Sequence, residues 1–221
     1  MQDMTSVSRK VEVLEKNKPV QARAKRTYEA ILVAAAQLLI EVGVERISTN
    51  LIAERAGIAV PALYRYFPNK YAVLHALGAA MMDRQNEVGL VWFKRLETLE
   101  RPEALLETIE ELLKLTYKVT SEQLAGLEII QSLRAVGPLQ ELRLESNRSV
   151  SDQFAALIAA ALGWPLTPML KMQSRLSVET GYAVVELAME DSTVSSDAVL
   201  SQGALMIQAY WRDVFQTQQK P

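Results

Sequence analysis

Between residues 47 and 70 the chain is interrupted so often that only very short helices fit. Gly43 lies just ahead of this stretch, Gly57 near its middle and Pro68-Asn69 at its end. Glycine accepts the left-handed conformation that closes a helix, and a residue before proline avoids helical angles, so each break ends an element. What remains is one helix over about 49–56 and another over about 60–67. Ser48 or Thr49 supplies a hydroxyl cap for the first. Pro61 sits in the first turn of the second, where its missing N–H does no harm. Ile52, Ala53, Ile58, Leu63 and Phe67 are spaced to face inward, and the small Ala53 lets the two short helices approach closely. Two short helices around a tight turn have the spacing of a helix-turn-helix, whose second helix enters the DNA major groove. Val60, Pro61, Tyr64, Arg65 and Tyr66 are left for the outer side. Two phenol hydroxyls and a guanidinium there suit phosphate and sugar contacts.

The flanking sequence fits one small unit joined to a larger one. Residues 1–22 are polar and lack apolar period, which predicts a flexible arm. Its basic residues Lys16 and Lys18, with Arg23, Lys25 and Arg26 just beyond, either follow a DNA backbone or form a solvated tail. From residue 23 the pattern turns helical, with Ile31, Ala34, Ala35, Leu38 and Val42 on one face. A long helix is expected over 70–96, and further ones over about 102–120, 122–135, 138–163, 169–190 and 196–218. No stretch alternates with the period of a strand, and no internal repeat is present. The fold class is all-α, with about nine helices.

Composition narrows the function further. The chain has 221 residues and a net charge of −2, but residues 1–80 carry 11 Lys+Arg against 7 Asp+Glu, and residues 81–221 carry 13 against 19. The basic part is the one expected to face a polyanion. There is no cysteine and His75 is the only histidine, so disulfides, thiolate-ligated metals and histidine-rich metal sites are excluded. No cofactor or metal is expected. No Gly-rich phosphate loop and no zinc-binding HExxH helix is present, and no Cys–His pair is possible, which argues against an enzyme. His75, in VLHAL, reads as a helix-surface or hinge residue. The N-terminus has no apolar signal region, and no uninterrupted apolar run reaches the roughly 18 residues of a membrane span. A cytoplasmic protein without membrane attachment is expected.

The first helix ILVAAAQLLIEVGVERIST, then LIAERAGI, then ALYRYFPNK and the helix start AVLHAL resemble the tetracycline-repressor (TetR) family of bacterial regulators over residues 25–80. The resemblance implies domains at 23–70 (DNA-binding helix-turn-helix) and 71–221 (ligand binding and dimerisation). It implies base reading by Val60 and Pro61, backbone clamping by Tyr64 and Tyr66, and a phosphate contact from Lys70 aided by the helix N-terminus. Thr49 matches a phosphate-contacting position and Asn50 a base-reaching one. The chain departs from the pattern at Ala59, where a hydroxyl cap is usual, and at Val60, where a polar reader is usual. Val60 and Pro61 suit thymine methyls, which leaves polar readout to Asn50 and Arg65.

For the C-terminal part the resemblance implies a homodimer on an inverted-repeat operator, released by a small-molecule effector. The candidate apolar pocket is Trp92, Phe93, Leu112, Leu115, Tyr117, Leu133, Phe154, Ile158, Met172 and Tyr182. The scarcity of charge on these faces points to an apolar or amphipathic effector. The candidate dimer stripes are Leu176, Ala183, Leu187, Leu200, Ala204, Ile207 and Trp211, which are too apolar to stand free. A DNA-binding protein without a small-molecule ligand, architectural or partner-controlled, remains the alternative. A solid C-terminal core would favour that alternative, and a closed cavity of a few hundred Å³ would count against it.

Overall fold

The computed structural model describes residues 12–16, 19–96 and 104–218. Among them the secondary structure is entirely helical. The order is α1 (Ala22–Arg46), α2 (Thr49–Arg55), α3 (Val60–Leu63), α4 (Lys70–Leu96), α5 (Ala104–Glu107), α6 (Ile109–Ser121), α7 (Gly126–Ala135), α8 (Gly137–Leu162), α9 (Pro168–Glu190) and α10 (Ser196–Gln218). Gly43 breaks α1 at φ 74°, as its position implies, and the chain then makes one more turn to Arg46. Ser48 is the cap of α2, its Oγ accepting from the Leu51 amide at 3.3 Å. Gly57 takes φ 66° between α2 and α3.

Three segments differ from expectation. α3 ends at Leu63 and tightens into turns, with the Tyr66 amide donating to the Leu63 carbonyl at 2.9 Å. The helix expected over 102–120 is divided at Thr108, whose hydroxyl accepts from the Trp92 indole N–H at 2.8 Å. The start expected at residue 102 lies outside the described residues. The helix expected from residue 122 starts only at Gly126, because Ala125 adopts a left-handed conformation (φ 59°). There the chain folds back so tightly that a Cβ at Gly126 would lie 2.1 Å from the Thr120 carbonyl oxygen.

Apolar packing forms two clusters. One gathers Ile31, Leu38, Leu39, Ile52, Leu63 and Phe67 with Val73, Leu74, Leu77 and Met81 of α4, and also Ile129 and Leu133 of α7 and Leu139 of α8. The second joins Trp92 of α4 to α5, α6, α8, α9 and α10 around Phe154, Ile158 and Trp211. The packing therefore divides along α4, not at its start. By length and composition α1 is apolar enough to span a bilayer. Ile31, Ala34, Ala35, Leu38 and Leu39 instead bury its apolar stripe in the first cluster, while Arg23, Lys25 and Arg26 are exposed on its first turns.

Candidate nucleic-acid interface and buried cavity

The inner face of the helix-turn-helix is dry: Ile52, Ala53, Leu63 and Phe67 have no exposed surface, while Ile58 is partly buried. Phe67 is held by Tyr28 of α1, stacked at 5.1 Å between centroids. This fixes which side of α2 and α3 looks outward. Asn50, Pro61, Tyr64 and Arg65 are exposed on that side. Thr49 is half-buried, and its Oγ1 lies 3.1 Å from the Tyr64 hydroxyl, tying the start of α2 to the end of α3. As expected, Ala59 supplies no side-chain cap to α3.

Two outward assignments need correction. Val60 and Tyr66 are partly buried and pack against the first cluster. Because α3 ends at Leu63, the following turns swing Tyr66 toward α1, where its ring meets Tyr28 edge-on at 6.1 Å. Lys70 is also engaged: its ammonium donates to the Val44 and Glu45 carbonyls at 3.2 and 3.3 Å and lies 5.4 Å from the Tyr71 ring centroid. A cation is favourable there because carbonyls at a helix C-terminus carry partial negative charge. Arg55 pairs with Glu41 through two bonds of 2.7 and 2.6 Å. Those bonds hold the Glu41 carboxyl below its ordinary pKa.

The expected flexible arm is ordered where it is described. Lys16 donates its amide to the Tyr66 carbonyl at 2.7 Å and its ammonium to the Tyr64 carbonyl at 3.5 Å. Asn69 donates to the Glu12 carbonyl at 2.7 Å, and the Tyr28 hydroxyl donates to Glu15 at 2.6 Å. Burial first, and the Glu15 carboxylate second, push the Tyr28 phenol above its ordinary pKa. Residues 12–16 thus sit on the exit of α3, and Lys18 lies outside the described residues. His75 is half-buried nearby, and burial lowers its pKa despite the negative charges of Glu15 and Glu145.

The second cluster is not solid. A cavity of about 480 Å³ opens among α4, α6, α8, α9 and α10. Trp92, Phe93, Leu112, Phe154 and Tyr182 of the expected pocket line it. The other five do not. Leu115 and Met172 are exposed on the surface, and Leu133 belongs to the first cluster. Tyr117 and Ile158 pack within the second cluster away from the opening. Sequence periodicity missed the polar part of the wall: Gln85, Asn86, Thr116, Gln153 and Ser177, with Asp83 and Glu87 exposed at its edge. Among the described residues no group of three or more His, Cys, Asp or Glu is placed to hold a metal.

The expected dimer stripes separate into two faces. Leu176, Ala183 and Leu187 of α9 are exposed, as a contact with another copy requires. Leu200, Ala204, Ile207 and Trp211 are instead buried within the same chain, and the Trp211 indole donates to Ser177 at 2.8 Å. On α10 the large exposed apolar residues are Leu205, Met206 and Tyr210. Gly203 lets α10 close on α9, since a Cβ there would come within 2.4 Å of Val184.

Comparison with known proteins agrees with the helix-turn-helix geometry. Residues 31–77 match the family model for bacterial regulatory proteins of the tetR family, which covers most of α1, all of α2 and α3, and the start of α4. The chain is 48% identical over 54 residues to the class C tetracycline repressor protein of Escherichia coli. That alignment covers 24% of this chain and only 25% of the relative. The HTH-type transcriptional regulator RutR of Escherichia coli O157:H7 is 28% identical over 152 residues, covering 68% of this chain and 65% of the relative. A solved TetR-family transcriptional regulator from Streptomyces coelicolor shares the fold at a TM-score of 0.60 and 21% identity, over 85% of this chain and 99% of the other. These relatives are regulators, not enzymes. The match to the tetR family model thus falls on the segment that builds the outward face of α2 and α3, and over residues 31–77 the chain is similar to bacterial regulatory proteins of that family.

Proposed function

We propose that the chain is a ligand-responsive transcriptional repressor that binds an inverted-repeat operator as a homodimer in the cytoplasm. The observation that carries the DNA reading is the outward cluster of Asn50, Pro61, Tyr64 and Arg65 on a helix-turn-helix whose inner residues Ile52, Ala53, Leu63 and Phe67 are completely buried. In this reading the 23–70 unit holds the DNA contacts and the 71–221 unit binds the effector and the second copy. Arg65 and Tyr64 contact the backbone, Asn50 and Pro61 reach base edges, and Thr49 reaches a phosphate. Val60 and Tyr66 contribute from partly buried positions. Lys70 reaches a phosphate by leaving the carbonyls that now hold it. The exposed apolar residues of α9 and α10 pair with their copies, which makes a four-helix interface and sets the distance between the two recognition helices.

The cavity supports the effector part of the proposal. Had the C-terminal unit been solid, a DNA-binding protein without a small-molecule ligand would have been the better reading. One wall of the cavity is α4, from Asp83 to Phe93, and the same helix begins at Lys70 beside the DNA face. At 1.5 Å per residue its 27 residues make a rod of about 40 Å. An occupant that fits one tilt of that rod better than another shifts the spacing of the recognition helices. The name of the tetracycline repressor couples a repressor to a small molecule, which is in keeping with this reading.

The test is selection of bound DNA from a random pool by the purified protein, followed by sedimentation of the complex. An enriched inverted repeat bound by whole dimers is expected. Binding without enrichment that vanishes at moderate salt would overturn the operator reading. On the enriched site, Asn50→Ala is expected to relax base preference, and Lys70→Ala to weaken all sequences together and flatten the salt dependence.

A further inference from the structure

We infer that the cavity takes an uncharged or cationic aromatic amphiphile and excludes anions; this rests on the ligand-responsive reading above and names the chemistry of its effector. Among the described residues the lining contains no Lys, Arg or His, and its ionisable carboxylates, Asp83 and Glu87, stand one helical turn apart on α4. Neither carboxylate is in an ion pair among the described residues. Of the basic residues nearest in sequence to the lining, Lys94 is exposed and outside it, and three others are committed elsewhere. Arg84 donates to Gln123 at 2.7 Å, Arg95 to Glu111 at 2.8 Å and Lys114 to Glu110 at 2.8 Å. On α8 and α9, Arg143 and Arg175 both turn to Glu179. An anionic head group entering the cavity would lose its water and find no cation, whereas a cation would find carboxylates at the edge.

The apolar wall points the same way. Trp92, Phe93 and Phe154 form a continuous aromatic patch, with centroid separations of 5.5, 6.1 and 6.2 Å. Ring faces attract cations and stack with flat apolar groups. The polar wall offers an occupant one acceptor and one donor. Gln85 commits its Nε2 to Thr120 at 2.8 Å, which leaves its carbonyl oxygen for an occupant. The Tyr182 hydroxyl, the fixed donor of the wall, has no hydrogen-bond partner among the described residues. Burial keeps it protonated, with a pKa pushed up to about 12. It can therefore give a hydrogen bond to an ether, carbonyl or phenol oxygen without demanding a negative charge.

Three naphthylamines of similar shape separate the cases when titrated by fluorescence into the full-length dimer. They are uncharged N-phenyl-1-naphthylamine, cationic N-(1-naphthyl)ethylenediamine and anionic 1-anilinonaphthalene-8-sulfonate. The uncharged probe is expected to bind at least ten-fold more tightly than the sulfonate on the same skeleton. The exposed double variant Asp83→Asn/Glu87→Gln is expected to weaken the cation by about three-fold or more at low ionic strength and leave the uncharged probe unchanged, since screening limits such effects at higher salt. Gly89 lines the cavity and has open space where a Cβ would stand, so Gly89→Phe fills it without a clash at the backbone and should abolish binding. If the sulfonate binds as tightly as its uncharged counterpart and is lost in Gly89→Phe, the charge selection is wrong while the effector site stands. An unchanged cation-to-anion ratio in the double variant overturns it equally. If no probe saturates, or Gly89→Phe changes none of them, the cavity is not a ligand site and the ligand-responsive reading falls with it.

Discussion

The residues proposed for DNA follow one another along a single short stretch of chain, from Thr49 to Lys70, whereas the cavity wall is assembled from five helices between Asp83 and Ile207. In the first region local rules decide almost everything. Breaks at Gly57 and Pro68 set element length, and helical period then determines which side chains are buried. In the second region the same rules yield helices but not their partners. An apolar stripe on a long helix is equally suited to its own core, a cavity wall or a second copy, and only tertiary packing chooses among them. The two regions also share material, since α4 contributes to both apolar clusters and α7 packs against α1 in the first.

That sharing is open to a direct challenge, and it carries the largest expected effect. Phe67 is completely buried in the first cluster, so Phe67→Ala should destabilise the chain by about 3–5 kcal/mol. All three tryptophans, Trp92, Trp164 and Trp211, lie in or against the second cluster. In urea, at fixed protein concentration, tryptophan fluorescence and far-UV circular dichroism should nevertheless shift together as one transition. Fluorescence that stays at the wild-type midpoint while part of the helical signal melts early would show the two regions to be separate units.

What could be read from the sequence follows from the same contrast. Ile52, Ala53, Leu63 and Phe67 are legible as inner residues because period and punctuation agree, and the start of Lys70–Leu96 because Pro68-Asn69 breaks the chain just before it. Tyr66 was misread because α3 stops one turn early and the phase of a helix no longer applies beyond Leu63. Docking of residues 12–16 left no pattern, since it depends on backbone carbonyls of Tyr64, Tyr66 and Glu12, which every residue type supplies. Ala125 hid a helix start because the glycine beside it is used for close approach to Thr120, which puts the left-handed conformation on an alanine. On α10, Leu200, Ala204, Ile207 and Trp211 make a stripe of correct period, but the Ser177 hydroxyl that receives the Trp211 indole lies on another helix. Cavity residues such as Gln85 and Thr116 are polar and so fell outside any search for an apolar pocket.

A medium effect sharpens the distinction between helix faces. Gly203 meets Val184 closely enough that a Cβ would stand 2.4 Å from a methyl, whereas at Gly181 the nearest atom, of Leu113, is 3.4 Å away. Overpacking should make Gly203→Ala destabilising by about 1–3 kcal/mol. Gly181→Ala should be neutral or stabilising by up to about 1 kcal/mol, because alanine is the better helix former and nothing must move. Thermal unfolding of the two variants under one set of conditions compares them. Equal losses would mean that the α9–α10 contact is looser than a 2.4 Å approach implies.

The smallest effect probes the joint between the regions. His75, the only histidine, has a pKa below its ordinary 6.5 because burial disfavours the charged ring, against the pull of Glu15 and Glu145. The unfolded chain therefore binds this proton more readily than the folded one. Stability from this group is complete above about pH 6.5, falls as the pH drops toward the folded pKa and is level below it. Titration of the single histidine ring by proton NMR should give a midpoint below 6.5, and Glu15→Gln should lower it further by removing a charge that favours the protonated ring. In His75→Asn the corresponding part of the stability slope below about pH 6.5 should disappear. A midpoint indifferent to Glu15→Gln would place that carboxylate away from α4 in solution, and the N-terminal segment would then have to be treated as independent of the helix that joins the DNA face to the cavity.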